Sequence, residues 1–324
     1  MNLLFNLSGE HNDLPKAEIY ATLEGEGIDY TPLLENQKKR LLILWAKTDN
    51  PLFINRLAMT KKVGEFIGAS ESIEEIARSL SLKMDEGTFA VDGESQSIRE
   101  DLGEEIWKMG YGVDLLNPNS RILCFEDDKG KYDIAIETPI ERNFNERKPH
   151  KRPYFHPTSL NPKMARVLVN LARVKRGDTI LDPFCGTGGI LIEAGLIGMR
   201  VLGCDILDDM VEGCTRNLIH YGVVNGRIRT CDALKLSDFS EKVDAIVTDL
   251  PYGRSSYMTD RDKERFYASF FSSAAATLAA GKHLVVVLPA SADLPNAPEF
   301  EVRETHSVYV HKSLTRKIFV LRRK

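Results

Sequence analysis

Residues 248–253 read TDLPYG and directly follow the apolar run VDAIV. A carboxylate (Asp249), a rigid backbone (Pro251) and an aromatic face (Tyr252) at the end of a buried strand suit chemistry at the exocyclic amine of a nucleobase. Such an amine is a poor nucleophile, because its lone pair is delocalised into the ring. If the Asp249 side chain and the Leu250 carbonyl each accept one N–H, the nitrogen is drawn toward a tetrahedral shape and its lone pair is freed for attack. Tyr252 would offer a stacking platform, worth about 1–3 kcal/mol per base. The same letters also spell a β-turn with proline at its second position, so placement decides between the two.

That placement follows from three further acids. ILDPFCGTGGILIEA puts Asp182, Gly186, Gly188 and Gly189 where a strand ends and a helix begins. Glycines there let the backbone approach a ligand closely, and open α/β sheets bind ligands at such strand ends. A nicotinamide-binding loop would read G-x-G-x-x-G and receive a pyrophosphate. Here a carboxylate precedes the glycines, which would repel a pyrophosphate but can accept hydrogen bonds from the ammonium of S-adenosylmethionine. The next strand ends in GCDI, where Asp205 can take two ribose hydroxyls. The third ends in TCDAL, where Asp232 can accept from an adenine amino group. The candidate cofactor-binding set is Asp182, Phe184, Gly186, Gly188, Asp205, Ile206, Asp232 and Ala233; the candidate catalytic set is Asp249, Leu250, Pro251 and Tyr252.

The elements that must hold these residues form an α/β pattern. Strands are expected at 179–182, 200–205, 227–232, 243–249 and 283–289, with helices at about 188–198, 208–221 and 262–280. The closing stretch FEVRETHSVYVHKSLTRKIFVLRR predicts two strands around a turn. An antiparallel hairpin ending a parallel sheet distinguishes class I methyltransferases from ordinary dinucleotide folds. Upstream, residues 1–50 predict strand, helix, strand, strand, a ferredoxin-like segment. Residues 51–140 predict a small α+β domain whose helices open with Ser72/Glu75 and Ser97/Glu100 in capping-box spacing, and which closes in a hairpin, RILCFEDD to YDIAIET. Residues 141–160, basic, proline-punctuated and aperiodic, predict a linker. A methyltransferase domain over 161–324 begins with an Asn161-Pro162 helix start. A fragment from about Glu146 is expected to fold alone.

The chain of 324 residues is 43% apolar and 28% charged, as in a globular protein. No apolar run of membrane-spanning length occurs, and the N-terminus lacks a basic-then-apolar signal layout, so the expected location is the cytoplasm. Five widely spaced cysteines without a C-x-x-C pair argue against a disulfide framework and against zinc, and no metal is expected. The net charge of −4 hides an asymmetry: residues 141–176 carry +8 and residues 308–324 carry +6, leaving −18 elsewhere. Such polarity can bring a phosphate backbone to one surface, with Lys148, Lys151 and Arg152 as candidate RNA contacts; a solvated linker and tail would look the same by charge alone.

Residues 51–140, with GYGVDLLNPNSRILCF, resemble the THUMP domain, an RNA-binding module. Together with RPYFHPTSLNPKMAR, LDPFCGTGG and DLPYGRSS, the whole chain resembles the archaeal and eukaryotic tRNA guanosine-N2 methyltransferases that modify position 10 of tRNA. The resemblance implies S-adenosylmethionine as methyl donor, tRNA as partner, and the cofactor and catalytic roles given above. DLPY departs from the (D/N/S)-P-P-(Y/F) motif of amino-methyltransferases at Leu250, which loses one proline's rigidity and keeps the carbonyl. Related enzymes act at tRNA position 6 or on ribosomal RNA with the same motifs. A DNA amino-methyltransferase would share the chemistry but would carry an added target-recognition region, and a catalytically silent RNA-binding protein would have lost one of the four acids.

Overall fold

The computed structural model describes residues 1–127, 129–238, 242–251, 260–311 and 314–324. The chain divides into two units, each assembled from separate stretches: residues 1–10, 28–55 and 59–141 in the first, and 11–27, 56–58 and 142–324 in the second.

The first unit is one mixed sheet. Strands β1 (Asn2–Leu7), β2 (Tyr30–Asn36), β3 (Leu41–Ala46), β4 (Thr60–Ser70), β5 (Thr88–Gly93), β6 (Gly112–Val113), β7 (Ser120–Glu126) and β8 (Tyr132–Glu137) take the order β2-β3-β1-β4-β8-β7-β5-β6. Antiparallel pairing of β1 with β4, Leu4 opposite Gly64, makes the sheet continuous across residue 50. The expected division into 1–50 and 51–140 is therefore corrected: one ladder of backbone hydrogen bonds spans both. The predicted hairpin is present as β7 and β8, and a helix at 73–81 is capped by Ser72, whose Oγ accepts from Glu75 N at 3.3 Å. The helix after β5 starts earlier than its capping box suggested. Ser95, not Ser97, accepts from Ile98 N at 3.2 Å, and Ile98, Leu102 and Ile106 bury against the sheet.

The second unit carries the parallel sheet: β9 (Thr179–Asp182), β10 (Arg200–Asp205), β11 (Gly226–Thr230), β12 (Val243–Asp249), β13 (Leu278–Pro289), β14 (Phe300–His311) and β15 (Leu314–Arg323), in the order β11-β10-β9-β12-β13-β15-β14. The first five strands run parallel, and β15 inserts antiparallel between β13 and β14, as the closing stretch predicted. Strand order reverses between β9 and β12, the switch point where such sheets open a crevice. Strand β13 begins at Leu278, inside the stretch expected to be helical.

Helix α1 (Leu14–Glu26) belongs to this second unit and packs on α2 (Pro162–Leu171). A buried polar knot joins them. Glu18 Oε1 accepts from Ala58 N and from Asn170 Nδ2, both at 2.8 Å, while Arg56 donates to Asn170 Oδ1 at 3.2 Å and to the Val174 carbonyl at 2.8 Å. Glu18 and Asn170 are fully buried, so removing one side would leave polar atoms unpaired at a cost of about 1–3 kcal/mol each. A fragment starting near Glu146 lacks both Glu18 and Arg56, which overturns the expectation that its core is complete.

The expected linker is also corrected from Arg142 on, where the chain becomes a strap of the second unit. Arg147 Nε donates to Glu193 Oε1 at 2.6 Å, Arg166 pairs with Glu193 Oε2 at 2.8 Å, and both guanidiniums lie over the Phe144 ring, 5.0 and 5.7 Å from its centre. The basic charge here is partly internal, neutralised by a buried acid rather than presented to solvent. Among the described residues no helix is long and apolar enough to cross a membrane.

Candidate active site

The glycine loop leaves β9 and enters α3 (Gly189–Leu196). Gly186 and Gly188 have φ of +48° and +83°, in the left-handed region where a Cβ is strained. A Cβ on Gly188 would also lie 2.7 Å from Cys214 Sγ, whereas one on Gly186 would meet no atom within 4 Å. Gly186 thus faces open space and Gly188 faces protein.

The strap holds this loop from behind. Thr187 Oγ1 lies 2.7 Å from Ser159 Oγ, and its carbonyl accepts from Asn217 Nδ2 at 2.9 Å. The Asn217 amide also exchanges two hydrogen bonds with the Tyr154 backbone, both 2.9 Å, from helix α4 (Asp208–His220). Tyr154 and Ser159 lie in the stretch RPYFHPTSLNPKMAR, but neither their contacts nor Asn217 could be read from it, because the partners lie 28 to 63 residues away.

The acids stand at consecutive strand ends. Asp182, closing β9, is 2% exposed; its Oδ1 accepts from Phe184 N at 3.1 Å and from the buried Thr248 hydroxyl at 2.8 Å. Burial pushes its carboxyl up to about 7 against those bonds, with Asp205 and Asp249 adding to the rise. Asp205, closing β10, accepts from Gly186 N at 2.9 Å through Oδ2 and from Leu207 N at 3.1 Å through Oδ1, so it shapes the loop it shares with Asp182. Asp232 follows β11 and accepts from Leu234 N at 2.9 Å. Asp249 closes β12 with its side chain one-fifth exposed, and burial pushes it up to about 6. Its Oδ1 is buried and finds no hydrogen-bond partner among the described residues, while Oδ2 lies 3.3 Å from an Arg316 guanidinium nitrogen.

The remaining candidates differ in place. Phe184 packs edge-on to Phe270 at 5.3 Å, at the floor of the loop; Ala233 is buried, and Ile206 is 71% exposed beside Asp205. Leu250 has a physical reason to depart from proline: its side chain is buried in the core and its N–H donates to Val287 O at 3.2 Å, a bond that proline, without an N–H, could not make. Pro251 is exposed, and Tyr252 lies outside the described residues.

Arg152 is corrected as an RNA contact. It is 5% exposed and donates to the Arg147 and Leu160 carbonyls at 3.0 and 3.2 Å. Lys151 is exposed in a pair with Glu146 at 2.9 Å, and Lys148 is partly exposed. Cys204 and Cys231, the residues before Asp205 and Asp232, are joined as a disulfide with Cα atoms 5.5 Å apart, a correction to the expectation from cysteine spacing. The register of β10 with β11 brings them together, which spacing along the chain does not show.

A crowd of partly desolvated carboxylates suits a cationic ligand, and the sulfonium and ammonium of S-adenosylmethionine meet that need; the open side of Gly186 leaves room for it. Sheet order, glycine loop and acids define an S-adenosylmethionine-dependent class I methyltransferase. Comparison with known proteins makes this particular. A family model described as RMKL-like, methyltransferase domain, matches residues 149–318, and one described as DNA methylase matches 32–216, stopping short of Asp249. The tRNA (guanine(10)-N2)-dimethyltransferase of Methanothermobacter thermautotrophicus is 39% identical over the full length of both chains. The proteins of the same name from Methanocaldococcus jannaschii and Pyrococcus abyssi are 32% identical over 98% of each chain, and 33% identical over 88% of this chain and 90% of theirs. The structure of TrmN from Thermus thermophilus shares the fold, with a TM-score of 0.56 over all of both chains at 22% identity. The chain belongs to the tRNA (guanine(10)-N2)-dimethyltransferase family.

If Asp205 holds the ribose as well as the loop, Asp205→Ala should weaken S-adenosylmethionine binding by about 2–4 kcal/mol, since bonds to a charged acceptor are worth roughly 1.5–3 each and are not additive. Calorimetry giving an unchanged affinity would confine Asp205 to capping the loop.

Proposed function

We propose that this protein methylates the exocyclic N2 amine of a guanosine in tRNA, at position 10, adding one methyl and then a second. The observation that carries the reading is Asp249: a largely buried carboxylate at the end of β12, across the switch point from the glycine loop, held by Arg316 through Oδ2. S-adenosylmethionine, when bound, supplies a methyl group on a positively charged sulfur. Asp182 would accept from its ammonium, Asp205 from its ribose and Asp232 from its adenine, with Phe184, Ile206 and Ala233 bordering them. The Asp249 carboxylate accepts an N–H of the guanine amine and the Leu250 carbonyl accepts the other, which localises the lone pair for attack. As the N–C bond forms the methyl–sulfur bond breaks, its electron pair returning to a sulfur that leaves as the neutral thioether S-adenosylhomocysteine; the amine gains positive charge and Asp249 takes its proton. Pro251 would stiffen the backbone after Leu250, and stacking on the base is the role assigned to Tyr252.

A stem guanosine must be unstacked to reach this crevice, at a cost of a few kcal/mol, so binding energy is needed elsewhere on the RNA. We assign that to the first unit as a THUMP-like module and to Lys148 and Lys151, in a cytoplasmic enzyme. The DNA methylase match over residues 32–216 favours an alternative, amine methylation on DNA.

Unmodified tRNA incubated with the protein and S-adenosylmethionine should yield N2-methylated guanosine at position 10 by nucleoside mass spectrometry. Asp249→Ala should lower the single-turnover rate by about 10²–10³ with cofactor affinity little changed. Methylated adenine in DNA, or methylguanosine at another position, would replace the assignment; near-normal turnover in the variant would remove Asp249 from the mechanism. Reversing both lysines, Lys148→Glu with Lys151→Glu, should reduce the salt dependence of tRNA binding by roughly one unit of slope per lost phosphate contact. A slope equal to that of the unaltered protein would exclude both as phosphate contacts.

A further inference from the structure

We propose that Arg316 is a positioning residue for the methyl transfer: its guanidinium holds Asp249 Oδ2, keeping that carboxylate ionised and fixed at the rim where the amine must arrive. The guanosine-N2 reading enters only as the identity of that amine. Arg316 counts in the sequence as part of a basic tail, a natural place for phosphate contacts. The sheet uses it otherwise. Insertion of β15 beside β13 pairs Arg316 with Pro289, while Asp249 pairs with Val287 on the other edge of β13. The arginine thus reaches across β13 at the carboxyl-end rim, where its nitrogen stands 3.3 Å from Asp249, and both side chains are only about one-fifth exposed.

Such a contact has a specific consequence. Asp249 loses hydration on burial, which favours its protonated form, and its charge in turn disfavours ionisation of Asp182 on β9, itself beside Asp205 on β10. Arg316 is the cation that opposes protonation of Asp249. A protonated Asp249 has an O–H to donate and can no longer serve as a charged acceptor for the departing amine proton. Because Arg316 engages Oδ2, it restrains rotation of the carboxylate. The antiparallel strand that marks the fold thereby completes the amine-binding acid.

The test uses the full-length, cofactor-free protein. Carboxyl infrared spectra of wild type minus Asp249→Asn isolate the Asp249 band, and the same difference is taken in Arg316→Gln and Arg316→Lys backgrounds. The wild-type band should titrate near pH 6. In Arg316→Gln its midpoint should rise by about 1–3 units, the usual effect of an adjacent opposite charge. Because the carboxylate is the active form, the acid limb of kcat should move up in pH by the same amount, with S-adenosylmethionine affinity unchanged at pH values where Asp249 is ionised in both proteins. Arg316→Lys, which keeps the charge but not the planar fork, should hold the midpoint within one unit of wild type while lowering kcat, and it preserves the test if the glutamine variant does not fold. An unmoved midpoint in Arg316→Gln, or a loss of activity uniform across pH, would overturn the proposal; so would a lysine variant with a midpoint shifted as far as that of glutamine. A reduced salt slope for tRNA with no change in the acid limb would return Arg316 to phosphate binding. If the unaltered protein methylated no guanosine, the substrate assignment would fail while the infrared midpoints still judged the ion pair.

Discussion

Everything at this site depends on the cost of placing carboxylates at neighbouring strand ends in a largely dry crevice. Asp182 is nearly inaccessible, and Asp205 and Asp249 lie close enough to disfavour its ionisation further. Burial pushes Asp182 and Asp249 toward their neutral forms, and a cationic ligand reverses the preference. One constraint therefore accounts both for what the crevice selects and for how its acids behave when it is empty of charge. Hydrogen bonds from Thr248, Phe184 N and Gly186 N then determine which oxygen of each acid is occupied by protein.

Holding this arrangement requires more of the chain than the parallel sheet. The glycine loop is tied from behind by Ser159 and Asn217, and the strap that brings Ser159 is itself anchored through Arg147 to buried Glu193. Farther out, α1 returns from the beginning of the chain to bury Glu18 against Asn170. These ties are polar and internal. Each leaves an unsatisfied donor or acceptor if its partner is removed, so the second unit is cooperative across three separate stretches of sequence.

Much of this was legible in the sequence, for identifiable reasons. The parallel strands announce themselves as short apolar runs, and an acid or glycine at the end of such a run marks the crevice whatever the tertiary detail; the four acids were found in this way. Arg316, Asn217, Thr187 and Ser159 were not, because their significance comes from pairings across the fold that spacing along the chain does not encode. The basic stretch 141–160 misled for a related reason. Charge counts reveal excess cations but not buried partners, and Arg147 and Arg152 are occupied by Glu193 and by backbone carbonyls. The sheet of the first unit was divided in two because β1 and β4 pair across some sixty residues, a register no local pattern reports.

The central claim is that buried, partly protonated acids wait for a cation, and it can be measured through protons alone. Isothermal calorimetry of S-adenosylmethionine binding at pH 6.5, in buffers of different ionisation enthalpy, counts the protons exchanged. With Asp182 near 7 and Asp249 near 6 in the free protein, the account predicts release of about one proton from the two acids together. Most of that release should disappear in Asp182→Asn. Binding heats independent of buffer in the unaltered protein, or an equal release in the variant, would contradict it.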